Sequence, residues 1–402
     1  MRLLLIVDQF DRSTLCEPAW WMWDVAEHAA AHGHRVEAIT LRAKGPEADV
    51  PPGVQVLAQG GDGLEPALVA ALARHPDVIH LATPGPLSAR VIEYLRDAPL
   101  MLDVFGHWPV CPQNDLMRRP QYVRCDVRYP AEACGECAGM EKLREMEVRS
   151  RLLSRAPAIV THARVQAERL STLLGRAVDQ IGFGVDTERF RPDPVPPVNA
   201  NARALYETRG DRPRALFLGP PEHARGAGIL VDLLVGVRAR VSDATMVVVG
   251  RDPANPEWAT AAGEELRELG LSGHIELLDA VAAGDLPGVI AACDVAISPS
   301  LWDDVGGLFV LQAFACGIPV VTTGRGGLAE LVQHGSGMIA SPDTPALFAD
   351  RIAMLLSHDE ARRLMGDAAR LHAVEHHDRA RSLEALDAVR QRVVEAGLSE
   401  AA

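Results

Sequence analysis

The sequence predicts an α/β protein whose parallel sheets are wound with helices on both faces, and three observations support this. Of the 402 residues, 48% are hydrophobic, which is ample for a real core. Short runs rich in Val, Ile and Leu, without polar alternation, are typical of strands covered on both faces. Amphipathic stretches of helical length separate these runs, and such alternation is the pattern of doubly wound folds.

The apolar runs and the stretches between them define the predicted elements in chain order. Strands are predicted at 2–7, 36–41, 78–81, 100–104, 158–161, 215–218, 245–249, 274–278, 295–298 and 319–322. Crossover helices are predicted at 21–32, 226–241, 257–269 and 286–293. From about residue 340 the chain becomes mostly helical, with helices predicted at 345–357, 360–374 and 380–396.

The domain organisation follows from one proline-rich segment, and the length favours two or three domains. Residues 190–199 contain four prolines, which fix φ and remove backbone donors, so this segment is predicted as a semi-rigid linker. We predict a Rossmann-like N-terminal domain at 1–190, a linker at 191–200 and a second Rossmann-like domain at 201–374. A final helix at 375–402 is expected to pack back on the N-terminal domain. Two such halves imply a cleft between them.

Charge disfavours several classes of function. The formal net charge is −14, which opposes nucleic acid and anionic membranes as general partners. The lysines are Lys44 and Lys142, so any phosphate bound by the second half must be held by arginine, backbone N–H groups or a helix N-terminus. No apolar run reaches the roughly 18 residues of a transmembrane helix. The first residues are typical of a buried strand and not of a signal peptide, so we expect a cytoplasmic protein.

One stretch of the second half resembles a known family. Residues 293–321 read CDVAISPSLWDDVGGLFVLQAFACGIPVV, in which seven residues separate Asp304 from Gln312 and A-x-A-x-G-x-P-V follows. This pattern resembles the group-one retaining glycosyltransferases, often called family four, which carry a glutamate at both positions. The segments 184–192 and 31–36 are also similar to the family. The resemblance implies the GT-B architecture, with two Rossmann-like domains facing a cleft and helices at the C-terminus.

The resemblance implies roles for residues of this stretch in binding the donor. In the family the first glutamate contacts the transferred sugar and the second holds the ribose hydroxyls, roles that fall here to Asp304 and Gln312. Gln retains an acceptor for a hydroxyl but loses the charge-assisted bond. Gly306 and Gly307 allow close approach of an anion, and the helix beginning near Leu308 directs its N–H groups at a diphosphate. The alternative is that Asp304 and Gln312 are ordinary polar residues of a loop and a helix.

The predicted phosphate clamp departs from the family. The family places an arginine after the first strand of this domain and a lysine–glycine pair several residues later. Here residues 219–226 read GPPEHARG, so Arg225 and Gly226 match the pair, while proline stands where the arginine is expected. We predict that Arg225 grips the diphosphate, the alternative being a solvated arginine at a helix start. The further candidates for donor binding are Gly219, His223, Arg251 and, through its backbone beside the base, Val281.

The first half is predicted to bind the acceptor. The family often shows H-D-x-W-x-x-C-P after a strand, with its histidine near the transferred sugar, whereas residues 103–112 read DVFGHWPVCP. Phe105 occupies the histidine position and His107 lies two residues later. His107 is therefore a candidate for catalysis and acceptor binding, with a plain loop histidine as the alternative. The other candidate acceptor-binding residues are Gln9, Asp11 and Trp108.

Four of the seven cysteines crowd into a weakly patterned insertion at 105–140. Cys111, Cys125, Cys134 and Cys137 have the spacing C-x13-C-x8-C-x2-C. Four thiols with one close pair suit tetrahedral zinc, which would fold a segment that lacks its own core. Buried free thiols, a disulfide and an iron–sulfur cluster are the alternatives. The other cysteines are predicted as small core residues.

These features predict a retaining glycosyltransferase that moves a sugar from a nucleoside diphosphate, UDP or GDP, to a small soluble acceptor. The resemblance implies that the leaving diphosphate helps to deprotonate the acceptor on the same face, so no catalytic cofactor is expected and any zinc is structural. The candidate catalytic residues are Asp304, Arg225 and His107. The alternatives are a sugar-nucleotide-binding subunit without activity, a pseudo-glycosyltransferase, and an epimerase or phosphorylase of similar build. A monomer and a homodimer both fit.

Overall fold

The computed structural model describes residues 1–10, 15–42, 50–82, 89–125, 131–251, 256–333 and 335–400. The chain divides into two compact units. The first comprises Met1–Arg12, Cys16–Gly182 and Ser382–Ala402, and the second comprises Ser13–Leu15 and Phe183–Arg381. Each unit is built around its own parallel sheet.

In the first unit, strands and helices alternate along most of the chain. The elements are β1 (Arg2–Val7), α1 (Glu17–Ala31), β2 (Arg35–Thr40), β3 (Val54–Gln59), α2 (Leu64–Leu72), β4 (Val78–Leu81), α3 (Ala89–Tyr94), β5 (Leu100–Val104), β6 (Met117–Arg118), β7 (Val123–Arg124), α4 (Ala131–Ala138), α5 (Met140–Arg155), β8 (Ala158–Thr161), α6 (Arg164–Leu174) and β9 (Asp179–Gln180). The sheet order is β3-β2-β1-β4-β5-β8-β9, with parallel neighbours. β6 and β7 form a separate antiparallel ribbon.

The second unit repeats the alternation of strand and helix and ends in longer helices. Its elements are α7 (Ala200–Glu207), β10 (Arg214–Leu218), α8 (Leu230–Arg238), β11 (Thr245–Arg251), α9 (Glu257–Glu268), β12 (Ile275–Asp279), α10 (Leu286–Ala291), β13 (Val295–Ser298), α11 (Leu308–Ala315), β14 (Val320–Thr322), α12 (Leu328–Leu331), β15 (Gly337–Ile339), α13 (Pro345–Ser357), α14 (Asp359–His376) and the start of α15 (Arg379–Glu400). The sheet order, β12-β11-β10-β13-β14-β15, reverses direction at β10, as in Rossmann folds.

The predicted fold class is confirmed, and all ten predicted strands are present. β1 matches its prediction at both ends, and its Leu3–Val7 are at most 2% exposed, because helices cover both faces of the sheet. The predicted helix at 226–241 is shorter than expected, since α8 begins only at Leu230. Gly226 has φ +84° and 3₁₀ turns occupy the residues on either side, so the α-helix cannot start earlier.

The second unit begins before the proline-rich segment, at Phe183, whereas the sequence predicted boundaries at 191 and 201. Its opening residues pack against the end of α14, where the Val185 N–H donates to the His377 carbonyl at 2.8 Å. The proline-rich segment is anchored as well, since Asp285 accepts the N–H groups of Val198 (2.5 Å) and Asn199 (3.2 Å). Side-chain acceptors thus hold a segment that cannot join a sheet.

The last helix contributes most of its length to the first unit. In α15, Asp387 lies 3.0 Å from the His28 imidazole, and Arg390 Nη2 lies 3.2 Å from His80 Nδ1. The Arg390 side chain is fully buried there. Among the described residues, no helix combines the length and the apolar character that crossing a membrane requires.

Candidate active site

The candidate donor site lies at the carboxyl ends of the strands in the second unit. At this edge β10 ends at Leu218, β11 at Arg251 and β13 at Ser298, next to the point where the strand order reverses. Ligands of open α/β sheets bind at this edge, since loops that diverge on either side of the reversal leave a crevice. The side chains and backbone groups of the loops at this edge therefore determine which ligand the unit can bind.

Close backbone contacts hold the loop after β10 in place. The Leu301 N–H donates to the Ala224 carbonyl at 2.8 Å, which ties this loop to the one that follows β13. Gly226 has φ +84°, and a Cβ there would collide with the carbonyl oxygen of Pro299, so only glycine fits. The loop thereby directs Arg225 across Gly219, where a Cβ would lie 3.2 Å from the guanidinium. The structure brings Arg225, Gly219 and Gly226 together as one group.

Asp304 lies in the loop between β13 and α11 and is 5% exposed. Its carboxylate accepts the backbone N–H groups of Gly306 (3.1 Å) and Gly307 (3.2 Å), because an aspartate side chain is short enough to fold back on amides two or three residues ahead. The amides of these two glycines, where the sequence predicted close approach of an anion, therefore have an internal acceptor. The Asp304 carbonyl also accepts the Gly327 N–H at 2.6 Å, which fixes the loop after β14 beside it.

Gln312 lies in the middle of α11 and is 2% exposed. Among the residues that the structure describes, its Oε1 has no hydrogen-bond partner. A buried acceptor without a partner costs about 1–3 kcal/mol, so such an atom is suited to a hydroxyl supplied by a ligand. Leu308, the first residue of the same helix, is 4% exposed.

The other predicted donor-binding residues lie at the same edge with different surroundings. Arg251, at the end of β11, forms an ion pair with Asp279, whose Oδ1 is 2.6 Å from Arg251 Nε. The hydrogen bond to Asp279 raises the pKa of Arg251, and a diphosphate would have to compete with that carboxylate. His223 lies in the 3₁₀ turn that contains Arg225. Val281 follows β12 and is 4% exposed.

The predicted acceptor residues belong to the first unit. His107 is 2% exposed, its backbone N–H donates to Asn114 Oδ1 at 2.6 Å, and its Nδ1 lies 3.4 Å from Arg169 Nη1. Trp108 is 4% exposed and packs in the hydrophobic core of the unit, so its position is that of a core residue. Gln9 follows β1 and is half-buried. Asp11 lies outside the described residues.

A buried network in the first unit was not predicted. Asp103, on β5, lies between two histidines, with Oδ2 3.3 Å from His80 Nε2 and Oδ1 2.8 Å from His162 Nε2. Burial alone would raise the pKa of Asp103, but the histidines outweigh burial and hold that pKa below its ordinary value. Burial lowers the pKa of His80. His80 lies on β4, Asp103 on β5 and His162 directly after β8, so no local sequence pattern connects them.

The four cysteines of the insertion line one cavity of about 250 Å³. Burial and the neighbouring Cys111 and Cys137 raise the pKa of Cys134, so these three thiols are close enough to interact. In the described part of the chain, no three His, Cys, Asp or Glu side chains converge tightly enough to hold a metal ion. The zinc assignment therefore stays a prediction.

Comparisons with known proteins agree with this geometry. Residues 199–372 match the family model described as glycosyl transferases group 1. A GDP-mannose-dependent alpha-(1-6)-phosphatidylinositol monomannoside mannosyltransferase of Mycobacterium tuberculosis is 28% identical over 326 residues, which cover 78% of this chain and 82% of that protein.

Two solved structures share the fold along nearly the whole chain. Sucrose-phosphate synthase of Thermosynechococcus elongatus has a TM-score of 0.75 at 18% identity, covering 98% of this chain and 100% of that one. Anabaena Alr3699/HepE in complex with UDP and glucose has a TM-score of 0.71 at 16% identity, covering 99% and 100%. The fold is thus that of the GT-B glycosyltransferases. Residues 199–372 thus resemble a group 1 glycosyltransferase domain, and the mycobacterial relative that matches most of the chain is itself a glycosyltransferase.

Proposed function

We propose that this enzyme transfers a sugar from a nucleoside-diphosphate sugar to a small acceptor with retention of anomeric configuration. The observation that carries the proposal is the position of Arg225, which the loop after β10 directs across Gly219 at the reversal of strand order. A guanidinium there can hold two phosphate oxygens at once.

The names of similar proteins support a nucleotide sugar as donor. The mycobacterial relative is described as GDP-mannose-dependent, and the Anabaena structure contains UDP and glucose. Both UDP and GDP therefore stay candidates for this chain, with the base expected beside the backbone near Val281. The unpartnered Oε1 of Gln312 fits the proposed contact with a ribose hydroxyl.

In the proposed reaction, the bond between the anomeric carbon and the phosphate oxygen breaks while the acceptor oxygen bonds to the same face of the sugar. The acceptor proton passes to the departing diphosphate. Arg225 and N–H groups at the start of α11 stabilise the charge that builds on that phosphate, the largest contribution expected of the protein. Asp304, whose carboxylate is held at the helix start, positions the sugar. This chemistry requires no cofactor.

The acceptor side of the proposal rests on the first unit. His107 is the candidate residue near the transferred sugar, and Gln9 and Asp11 are the further candidates for acceptor contact, whereas Trp108 packs in the core. The net charge of −14 favours a small soluble acceptor over an anionic lipid surface, and the proposed place of action is the cytoplasm.

The proposal is tested by product formation from UDP-glucose and GDP-mannose with a panel of soluble acceptors. Arg225→Ala is expected to lower kcat/KM by roughly 10²–10³-fold, because it removes one preorganised donor to the leaving phosphate. Arg225→Lys is expected to recover part of the activity, since lysine keeps the charge but not the fork geometry.

Arg203→Ala is the matched control, since Arg203 lies on α7 in an exposed ion pair with Glu207. It is expected to retain the activity of the parent protein. The anomeric configuration of the product, determined by NMR, tests retention. Full activity of a folded Arg225→Ala variant, or an inverted product, would contradict the proposal. Nucleotide-sugar binding without turnover of any acceptor would contradict the proposed donor and acceptor classes.

A further inference from the structure

The loop after β5, which carries His107, is fixed through its backbone. The Gly106 carbonyl accepts the side-chain amide of Gln166, and the His107 N–H donates to Asn114 Oδ1 at 2.6 Å. The His107 carbonyl accepts the N–H of Cys111 at 2.8 Å. Both backbone polar groups of His107 are therefore bonded, and the contacts of its ring determine which chemistry the residue can perform.

Helix α6 contacts this loop at two points. Gln166 and Arg169 lie three residues apart on α6, so they share one face of the helix. Thr161 Oγ1 donates to Gln166 Oε1, which leaves the amino group of Gln166 to donate to the Gly106 carbonyl. Arg169 Nη1 lies 3.4 Å from His107 Nδ1. The same helix face thus holds the backbone of the loop and the ring of its histidine.

The contact with Arg169 determines which ring nitrogen of His107 carries the proton. A guanidinium has N–H donors and no acceptor, so His107 Nδ1 must be the acceptor. A neutral imidazole then carries its proton on Nε2. A proton on Nδ1 would set two donors against each other and would place a second positive charge beside the guanidinium. Neither ring nitrogen is then available to take a proton from a substrate, and Nε2–H can donate to one.

This form of His107 fits the proposed reaction. The departing diphosphate takes the acceptor proton there, so the site needs a donor that orients the sugar rather than a basic side chain. His107 is 2% exposed, and a hydrogen bond in such a buried place is stronger than in water. A neutral N–H at Nε2 is therefore useful to the reaction, and a histidine protonated at Nδ1 is not required.

We propose that Arg169 is a positioning residue that keeps His107 neutral and protonated at Nε2, so that this N–H donates to a hydroxyl of the transferred sugar. The inference rests on the proposed function, because the place of His107 beside the sugar comes from there. Arg169 acts through the ring of His107 and is assigned no contact with the substrate.

Nitrogen NMR of the full chain, labelled with ¹⁵N at histidine, tests the tautomer without any substrate. The signals of His107 are identified by their loss in His107→Gln. We expect a protonated Nε2 and an Nδ1 that accepts a hydrogen bond in the parent protein. The Nδ1 resonance should move in Arg169→Met and stay closer to its parent position in Arg169→Lys, which keeps a charged donor.

Arg164→Met is the matched control for this measurement, because Arg164 is the exposed first residue of the same helix. It should leave the Nδ1 resonance in place. A proton found on Nδ1, or an Nδ1 resonance that does not respond to Arg169→Met, would overturn the proposal.

Initial rates test the consequence for catalysis. The amide nitrogen of glutamine falls near the position of Nε2 and that of asparagine near Nδ1, so glutamine keeps the donor that asparagine loses. His107→Asn is expected to lower kcat/KM by roughly 10²-fold, and His107→Gln by less than about tenfold. Equal losses in these two variants would contradict the assigned role of Nε2–H.

A double-mutant cycle shows whether Arg169 acts through His107. Arg169→Met is expected to lower kcat/KM about tenfold in the parent background, with partial rescue by Arg169→Lys. It should have little further effect in His107→Gln, because glutamine has no tautomer to fix. Losses that simply multiply would contradict the proposal. A parent protein that forms no product, with the NMR results as expected, would support the tautomer and contradict the proposed function.

Discussion

At the scale of single residues, Gln312 combines complete burial with an acceptor that the protein leaves unpartnered. Its Oε1 lies inside the unit without a hydrogen-bond partner among the described residues, and the family pattern places a ribose contact at this position. The unpartnered acceptor lowers the free energy of unfolding of the free protein, and a ligand hydroxyl that bonds to it would remove that penalty. An apolar substitution of Gln312 should therefore raise the stability of the free protein and lower its affinity for the nucleotide.

Gln312→Met tests this, because methionine has a similar shape and lacks the amide. The free protein is expected to become more stable by about 1–3 kcal/mol in urea unfolding, since the buried unsatisfied acceptor is gone. The affinity for the nucleotide, measured by calorimetry, is expected to fall roughly tenfold. Gln312→Glu is the matched control and should retain binding. A less stable Gln312→Met protein with unchanged affinity would show that the side chain is bonded within the protein.

Asp304 makes contacts that the sequence did not predict. The sequence predicted that Gly306 and Gly307 allow an anion to approach closely, and in the structure the amides of both glycines donate to the Asp304 carboxylate. The cause is local, because aspartate folds back on its own following amides more readily than the longer glutamate of the family. The role of Asp304 toward the sugar stays a proposal.

At the scale of elements, the loop after β10 depends on a backbone position that only glycine fits. Gly226→Ala meets two penalties, a left-handed φ of +84° and a collision with the Pro299 carbonyl. We expect it to lower the free energy of unfolding by more than about 1 kcal/mol and to reduce activity at least tenfold, because Arg225 must move. Thermal unfolding and initial rates measure both effects.

Gly270→Ala is the control for this prediction. Gly270 has φ +69°, but a Cβ there meets nothing within 4 Å, so the substitution adds backbone strain without a collision. It is expected to lower the free energy of unfolding by about 1 kcal/mol and to leave the activity unchanged. Equal loss of activity in the two variants would show that the contact between Gly226 and Pro299 does not position Arg225.

At the scale of the whole molecule, buried histidines make stability depend on pH. Burial, and to a smaller extent the charge of His372, lowers the pKa of His377 to about 4. The ordinary value is 6.5, so the unfolded chain binds more protons than the folded one between those values. This contribution to stability is present above about pH 6.5 and is lost as the pH falls toward 4.

The free energy of unfolding is expected to fall by about 2–3 kcal/mol through His377 between about pH 7 and about pH 4.5. His377→Gln should remove that part of the pH dependence, because glutamine does not titrate and keeps the backbone carbonyl that Val185 contacts. Urea unfolding at both pH values measures it. His358→Gln, at an exposed histidine, is the control. The same pH dependence in the parent and His377→Gln proteins would contradict the assignment.

The sequence by itself determined the fold class and the position of the donor motif. Runs such as Arg2–Val7 are continuously apolar, and this local pattern is enough to predict a strand that is buried on both faces. The stretch from 293 to 321 predicted the resemblance to the family in the same way, because its spacing is local. β3, β9 and β15 were missed, since strands near the sheet edge are short or half-exposed and lack the apolar signal.

Only the tertiary structure decided which distant side chains meet. Arg390 contacts His80 across 310 positions of the chain, and Asp103 is held between a histidine on β4 and one that follows β8. Tertiary packing also made Trp108 a core residue and gathered the four cysteines around one cavity. Such contacts arise from the packing of whole elements, whereas sequence patterns report only which face of an element is apolar.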